Sequence, residues 1–424
     1  YPLVLSENAS AWQPFTRTVN VFNAAGMEMP VTSFLKPANQ TGAFSYLGRP
    51  GNPQGVSSME RNTPHAMNLW ETEIKLPGAK KPLFQAIRHG CTKGQKGASK
   101  EILVACLAQK FGIEKLKNPQ PTTSESGNNP NGSRKHPFSL QLANVQLMTP
   151  GGMIGVGTDK SLPKKQMDAF LKLAEQKQPI RLKIPVPDGN RVYVRLEPPL
   201  LFNFGVNLQQ FTSATRGLFV KDLSEQNAAS MQRLLGDSAS IDPERFNPRN
   251  IDLEIEKTIF PQDSLVGKFL NNSEVSEEDK KIVAQLAHQI ADMWRSGKYA
   301  TEGSEPYAIQ SRIALLTYKL GLSTTFNCKS GKDRTGVANT EINNLAAEIA
   351  INGGIVPQPY HVLDNREKFN LNIMLNNGGA NHITKACTGL EGLKIVNSSG
   401  PFRFSAVQDR MGDVQGASKE AKGG

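Results

Sequence analysis

The chain has 424 residues, and its 49 lysines and arginines outweigh 38 aspartates and glutamates to give a net charge of +11. A hydrophobic fraction of 38% in a chain of this length is enough for one large core or two modest ones, which excludes a chain that is disordered throughout. Its 4 cysteines are too few for a disulfide framework and favour a reducing compartment. No stretch approaches the roughly 20 consecutive apolar residues of a transmembrane helix.

The excess of positive charge predicts attraction to anionic surfaces and polyanionic ligands. Nucleic acid is disfavoured as a partner because the sequence has no zinc-ligand spacing, no aromatic and basic RNA-binding signature and no continuous basic helix. An anionic lipid surface is the favoured alternative. The beginning, YPLVLSENAS, lacks the charged and apolar halves of a signal peptide. Because the first residue is not methionine, we expect a fragment from which an amino-terminal address or chaperone-binding segment has been removed.

The first half of the chain shows two clear patterns. Residues 118–136 (NPQPTTSESGNNPNGSRKH) are polar and rich in Pro, Gly, Asn and Ser, which predicts a flexible insertion. The segments IRLKIPV (180–186) and RVYVRL (191–196), separated by Pro-Asp-Gly-Asn, predict a β-hairpin. The chain then runs into NFGVN (203–207), whose Asn and Gly residues suit a tight polar turn.

The second half predicts helices around one short strand. Ser276 and Asp279 have the spacing of a capping box before a segment with apolar residues on one helical face. The predicted elements are helices over 277–295, 306–321 and 337–351, a strand over 322–326, a loop over 376–392 and a disordered tail over 412–424.

The segment between this strand and the third helix is CKSGKDRTG, from Cys328 to Gly336. Backbone N–H groups at the start of a helix have no partner within the helix, and the helix dipole adds positive potential where they converge. A strand, a tight loop and a helix in this order therefore predict an anion-binding site. Closure of the loop is expected to bring the Cys328 thiol and the Arg334 guanidinium around one phosphate.

The residue types of this loop suit phosphoester hydrolysis. A cysteine in such a field typically has its pKa lowered from about 8.5 to about 3.5–7.5, which makes it a thiolate at neutral pH. Gly331 permits close approach of the backbone to the phosphate, Arg334 offers a bidentate fork, and Thr335 can donate its hydroxyl to the sulfur. Lys329 and Lys332 add two cations, which favours a head group with several phosphates, such as inositol.

The loop resembles that of cysteine-based phosphatases. Its Lys-Asp-Arg ending is similar to that of the SopB/SigD/IpgD family of type III secreted inositol phosphate phosphatase effectors and of the related inositol polyphosphate 4-phosphatases. The NFGVN motif resembles a motif shared by both groups. HAMNLW (65–70), IRHG (87–90) and SEPY (304–307) also resemble the effector family, so the similarity covers most of the chain.

The resemblance implies a phosphocysteine mechanism without a metal or cofactor, in which Cys328 is the nucleophile and Arg334 stabilises the transferring phosphoryl group. The residues expected to contact the substrate are Lys329, Ser330, Gly331, Lys332, Thr335, Asn203 and Asn207. The general acid is open between Asp333, inside the loop, and Asp263 in FPQD, which precedes the loop as a mobile acid loop would. Asn327 stands where the tyrosine phosphatase pattern has His, and no Trp-Pro-Asp triplet occurs.

The predicted fold is α/β: a cysteine-phosphatase-like central sheet flanked by helices, with the flexible polar insertion inside a catalytic domain over residues 56–411. Residues 1–55 are left as a small amino-terminal region. The resemblance suggests that this region is the remnant of a segment that binds a host Rho-family GTPase.

The favoured function is removal of the 4-phosphate from phosphatidylinositol 4,5-bisphosphate, leaving the 5-phosphate. The resemblance places this activity at host membranes, after type III secretion into the host cytoplasm, with soluble inositol polyphosphates as a further substrate class. One alternative is a protein tyrosine or dual-specificity phosphatase, which is disfavoured by Asn327 in place of His and by the absence of a Trp-Pro-Asp triplet. The other is a GTPase-binding scaffold, which the retention of both Cys328 and Arg334 disfavours.

Overall fold

The computed structural model describes residues 12–37, 56–57, 64–117, 138–149, 159, 161–183, 191–205, 221–237, 246–300, 302, 304–389, 392–393 and 410. The predicted insertion at 118–136, the predicted tail at 412–424 and Asn207 lie outside these residues. At the centre of the described part is one sheet of 8 strands in the order β1-β2-β3-β4-β8-β5-β7-β6. The strands are β1 Phe15–Phe22, β2 Glu28–Pro37, β3 Trp70–Lys75, β4 Phe84–His89, β5 Phe138–Gln146, β6 Ile180–Lys183, β7 Arg191–Asn203 and β8 Ser323–Asn327.

The middle of the sheet consists of parallel strands. β8 lies between β4 and β5, and β5 pairs in parallel with β7. Parallel strands are covered on both faces, which favours buried apolar or β-branched residues. All residues of β8 (STTFN) are buried accordingly. The chain therefore leaves β8 at the centre of the carboxyl edge of the sheet, where α/β proteins bind their ligands.

Helices cover both faces of the sheet. Those described are α1 Lys96–Phe111, α2 Ile113–Lys117, α3 Leu162–Ala174, α4 Lys221–Leu235, α5 Leu253–Ile259, α6 Leu265–Leu270, α7 Glu277–Ser296, α8 Ala308–Lys319, α9 Asp333–Ile351, α10 Asn365–Asn377 and α11 Ala380–Thr388. α1 to α3 pack on one face through side chains such as Leu103 and Phe170. The larger core on the opposite face includes α7, α8 and α9. This arrangement confirms the predicted α/β fold of a central sheet flanked by helices.

The amino-terminal region contributes to this sheet. β1 and β2 form a hairpin, and β2 continues the sheet by pairing with β3. The predicted domain boundary at residue 56 therefore falls between two strands of one sheet. The domain boundaries, and a GTPase-binding role for residues 1–55, stay predictions.

Most predicted elements are present, and one is wrong. β6 and β7 pair as the predicted hairpin, and α7 begins after a Ser276 cap that accepts a hydrogen bond from the Asp279 N–H. The loop predicted over 376–392 is instead the end of α10 followed by α11. Its Gly and Asn residues suggested a loop, but Gly378 and Gly379 form only the turn, because α11 buries Ile383 and its neighbours against the sheet. None of the described helices has the length and apolar character needed to cross a bilayer.

Candidate active site

The catalytic loop, Cys328–Gly336, connects β8 to α9. α9 begins at Asp333, four residues before the predicted start, so that Arg334 and Thr335 belong to its first turn. The loop backbone therefore converges on the amino end of a long buried helix, where partial positive charge is concentrated. This geometry agrees with the predicted anion site.

Gly331 makes the tight loop possible. Its φ is +70°, a left-handed conformation, and a Cβ there would lie 2.6 Å from the Gly90 nitrogen and from the His89 carbonyl carbon. Gly331 was predicted to allow close approach to the phosphate, but the close approach that the structure describes is to the end of β4. The IRHG motif thus forms the surface against which the loop packs.

The Cys328 side chain is buried beneath the loop, with 2% of the residue exposed. Burial opposes ionisation of the thiol, but the Arg334 guanidinium, the Thr335 hydroxyl and the backbone N–H groups of Thr335 and Lys332 outweigh it, so the pKa of Cys328 lies below its ordinary value. Thr335 Oγ1 also accepts the Cys328 N–H at 2.8 Å. The arrangement favours a thiolate, as the sequence predicted.

Asp159 holds Arg334, a contact that the sequence analysis missed. The fully buried Asp159 carboxylate accepts from Arg334 Nη1 at 2.8 Å and Nη2 at 3.1 Å, and the Thr149 N–H donates to it at 2.9 Å. Arg334 Nη1 also donates to the Leu147 carbonyl at 3.0 Å. These described contacts leave the Nε–H and one Nη2–H, a neighbouring pair that suits bidentate binding of phosphate. Asp159 lies in a Gly-rich stretch without a recognisable motif, so no sequence signal indicated it.

The other predicted loop residues differ in exposure. Lys329 is exposed, whereas Lys332 and Asp333 are half-buried and their side chains approach to 3.7 Å. Ser330 Oγ lies 3.9 Å from Cys328 Sγ. Asp333 thus lies in the same loop as Cys328, and its role as the general acid stays a prediction. Asp263 lies in an exposed turn between α5 and α6, and none of its described contacts is with the loop.

The NFGVN motif contacts the segment that leads to Asp159. Asn203 is buried at the end of β7, and its Nδ2 donates to the Met148 carbonyl at 3.1 Å. A Cβ at Gly205 would lie 2.9 Å from Thr149 Oγ1. The described contacts of Asn203 are thus within the protein, and its role in substrate binding stays a prediction, as does that of Asn207.

A buried amide network supports the base of the loop. Asn327 Oδ1 accepts from Gln166 Nε2 at 2.6 Å and from Asn144 Nδ2 at 3.2 Å. Asn327 Nδ2 donates to the Cys328 carbonyl at 3.3 Å. Asn327, which stands where tyrosine phosphatases have His, therefore ties the nucleophile's backbone to α3 and β5.

Comparison with known proteins gives one family. Residues 4–419 match the family model described as enterobacterial virulence protein IpgD. The inositol phosphate phosphatase SopB of Salmonella typhimurium is 27% identical over 426 residues, an alignment that covers 96% of this chain and 68% of the relative. The inositol phosphate phosphatase IpgD of Shigella sonnei is 26% identical over 420 residues, an alignment that covers 96% of this chain and 70% of the relative.

The fold is also similar to solved structures from Legionella. A phosphoinositide phosphatase described for its substrate recognition superposes with a TM-score of 0.62 at 11% identity, covering 93% of this chain and 75% of that one. The phosphoinositide phosphatase SidF gives a TM-score of 0.59 at 12% identity, with the same coverage. At this identity the likeness concerns the fold alone. Since the family model spans nearly the whole chain, the resemblance predicted from the loop and its companion motifs is confirmed: the chain belongs to the IpgD family of enterobacterial virulence proteins.

Proposed function

We propose that this chain is a cysteine-dependent phosphatase of inositol phosphates and phosphoinositides. The observation that carries the proposal is the placement of a buried thiol with a lowered pKa and the Arg334 guanidinium on one loop at the amino end of α9. The relatives SopB and IpgD, which are inositol phosphate phosphatases, support the substrate class.

The proposed reaction has two steps. The Cys328 thiolate attacks phosphorus, an S–P bond forms, and the P–O bond to the inositol ring breaks as Asp333 gives a proton to the leaving oxygen. Arg334 and the loop N–H groups bind the equatorial oxygens, where charge is spread in the transition state. Water then attacks the phosphocysteine, which breaks the S–P bond, releases inorganic phosphate and regenerates the thiolate. The attacking water gives a proton to the Asp333 carboxylate, which restores its acid form.

The finer proposal concerns the substrate. Lys329 and Lys332 belong to the same loop as the nucleophile, and their two positive charges suit a ring that carries further phosphates next to the scissile one. We therefore favour phosphatidylinositol 4,5-bisphosphate as substrate and phosphatidylinositol 5-phosphate as product. The net charge of +11 supports action at an anionic membrane surface, and membership of a virulence-protein family supports delivery into a host cell by a type III system.

The decisive experiment measures phosphate release from a panel of phosphoinositide vesicles and soluble inositol phosphates, with identification of the product isomer. Cys328→Ser is the control, because a hydroxyl is far less ionised than a thiol. Cysteine-dependent formation of phosphatidylinositol 5-phosphate is expected. Formation of a different product isomer would refute the assignment of the cleaved position. Turnover of phosphopeptides alone would identify the chain as a protein phosphatase.

A further inference from the structure

The carbonyl groups of the catalytic loop are bonded by residues outside it. The Cys91 N–H donates to the Lys329 carbonyl at 3.0 Å. Asn68 Nδ2 donates to the carbonyls of Ser330 at 3.3 Å and Gly331 at 2.9 Å. Four consecutive carbonyls are involved in all, since Arg88 Nη2 donates to those of Gly331 and Lys332 at 3.2 and 3.5 Å.

These contacts determine where the loop N–H groups point. In a planar trans peptide, the C=O of one residue and the N–H of the next point in opposite directions. The carbonyls of residues 330–332 are directed toward Asn68 and Arg88, and they therefore turn the following N–H groups, those of residues 331–333, to the other side of the loop. The Lys332 N–H helps to lower the pKa of the Cys328 thiol, so it faces the sulfur and identifies that side as the thiolate side.

Asn68 is itself held in one orientation. It is fully buried with φ +48°, its N–H donates to the Val56 carbonyl at 2.8 Å, and its Oδ1 accepts from Trp70 Nε1 at 2.9 Å. Because the indole can only donate, it fixes the amide with Nδ2 toward the loop. Trp70 is fully buried and stacks on Trp12 with ring centroids 5.1 Å apart.

Arg88 is an unusual support for a loop. It is fully buried, and among the described residues no carboxylate pairs with it. Burial lowers the pKa of Arg88 to about 10, so the guanidinium keeps its charge at neutral pH. The negative charge that interacts most strongly with it is the Cys328 thiolate. A buried guanidinium without a carboxylate is costly, which favours a role in the site over a purely structural one.

We propose that Asn68 and Arg88 are positioning residues: from outside the catalytic loop they hold its carbonyls, and thereby aim its N–H groups at the phosphate and the thiolate. Arg88 adds a fixed positive charge behind the thiolate. The HAMNLW and IRHG motifs thus belong to the catalytic machinery, although neither contributes an atom to the reaction. The inference rests on the loop being the anion site of the proposed function.

The test uses Asn68→Asp and Arg88→Met. Asn68→Asp keeps the shape but replaces the donor by an acceptor facing two carbonyls, and Arg88→Met keeps an apolar stem without charge or donors. The pH dependence of Cys328 alkylation by iodoacetamide, followed by peptide mass spectrometry, reports the thiolate, and calorimetric titration with tungstate reports oxyanion binding. Besides Arg88, the described charged or titratable groups that face Cys328 are Arg334, Tyr307 and Cys91, and the variants leave them unchanged.

The alkylation midpoint is expected to rise by about one pH unit in each variant, the change that a modest loss of positive potential produces. Tungstate affinity is expected to fall at least about tenfold, since the loop N–H groups that donate to the anion no longer point toward it. The matched control is Gln285→Glu, which removes an amide-to-carbonyl bond of 2.9 Å to Gly354, a contact that involves no residue of the catalytic loop. It should lower stability without moving either quantity.

Folded variants with unchanged alkylation midpoint and tungstate affinity would overturn the proposal. If Asn68→Asp or Arg88→Met does not fold, Trp70→Phe decides, because it removes the indole N–H that orients Asn68 and keeps an aromatic ring at that position: a smaller shift in the same direction supports the proposal, and no shift refutes it. Neither readout requires an inositol substrate. A failure of the proposed substrate class would therefore leave this result interpretable.

Discussion

At the scale of single residues, the site depends on charges that the protein holds in place before substrate arrives. Arg334 faces the thiol but is oriented by Asp159, and Thr335 bonds both the backbone and the sulfur of Cys328. Such preorganisation means that the transition state requires little rearrangement of the protein. Changes that keep every loop residue but loosen its support should therefore reduce turnover.

Asp159→Asn should lower kcat/KM by about 100-fold, because a small displacement of a group that holds the phosphate has effects of this size. The amide cannot accept two hydrogen bonds from the guanidinium with the strength of a carboxylate. Steady-state kinetics with the best substrate of the phosphoinositide panel checks this. Unchanged kcat/KM would show that Arg334 needs no external partner.

Asp333→Asn should lower kcat on an inositol substrate by about 10²–10⁴-fold, the range typical of a lost general acid. Hydrolysis of p-nitrophenyl phosphate should change much less, because its leaving group needs no proton. Asp263→Asn is the matched comparison. Equal losses on both substrates, or a larger loss for Asp263→Asn, would move the acid away from Asp333.

The lowered pKa of Cys328 has two pH consequences. The acid limb of kcat/KM should lie below the ordinary cysteine pKa of about 8.5, since activity is lost only as the pH falls through the lowered value. The pKa of the Cys328 thiol is lower in the folded chain than in the unfolded chain, so ionisation of the thiol stabilises the fold at pH values above the pKa of the unfolded state. This contribution is lost as the pH falls through the pKa of the folded state. Thermal unfolding of the wild type and Cys328→Ser between pH 5 and pH 9 should show a difference in Tm that narrows toward acid; a constant difference would contradict it.

At the scale of elements, the sequence predicted what local patterns encode. The capped helix α7, the hairpin of β6 and β7, and the strand, loop and helix around Cys328 were all recognisable from periodicity, capping and turn residues. Asp159 and Arg88 were not, because each acts through a partner distant in the chain that only the sheet topology brings near. The helix α11 was missed because its tertiary packing outweighs its polar composition.

Gly331→Ala should abolish most activity, since a Cβ would meet the backbone of β4 at 2.6 Å. Gly353→Ala provides the control: its φ of +68° imposes the same left-handed strain, but no atom lies within 4 Å of the added Cβ. Comparison of turnover and thermal stability separates the two effects. If both variants lose activity equally, backbone strain alone is responsible.

At the scale of the whole molecule, a buried ion network joins the chain's carboxyl-terminal part to its core. Arg410 donates to Glu341 on α9 at 2.9 and 3.1 Å and lies 3.5 Å from Glu305 of the SEPY motif. Glu305 in turn accepts from Arg312 at 2.7 Å. The SEPY motif is thereby linked to the helix that begins in the catalytic loop.

Arg410→Met should lower the free energy of unfolding by about 3–5 kcal/mol, because it leaves the buried Glu341 carboxylate without its described partner. Urea denaturation checks this. The double variant with Glu341→Gln should recover part of the loss, since it removes the charge that was left unpaired. Additive effects in the double variant would contradict a direct coupling.

The central place of β8 has a consequence for the order of folding. Both of its neighbours in the sheet, β4 and β5, come from far earlier in the chain, so the loop that β8 carries is completed only by contacts of long sequence separation. Such contacts form late in folding, because closing a long loop costs conformational entropy before the contacts add any stability. Turnover should therefore return after helical circular dichroism when the denatured chain is refolded, and catalysis would serve as a sensitive signal that the whole sheet has assembled.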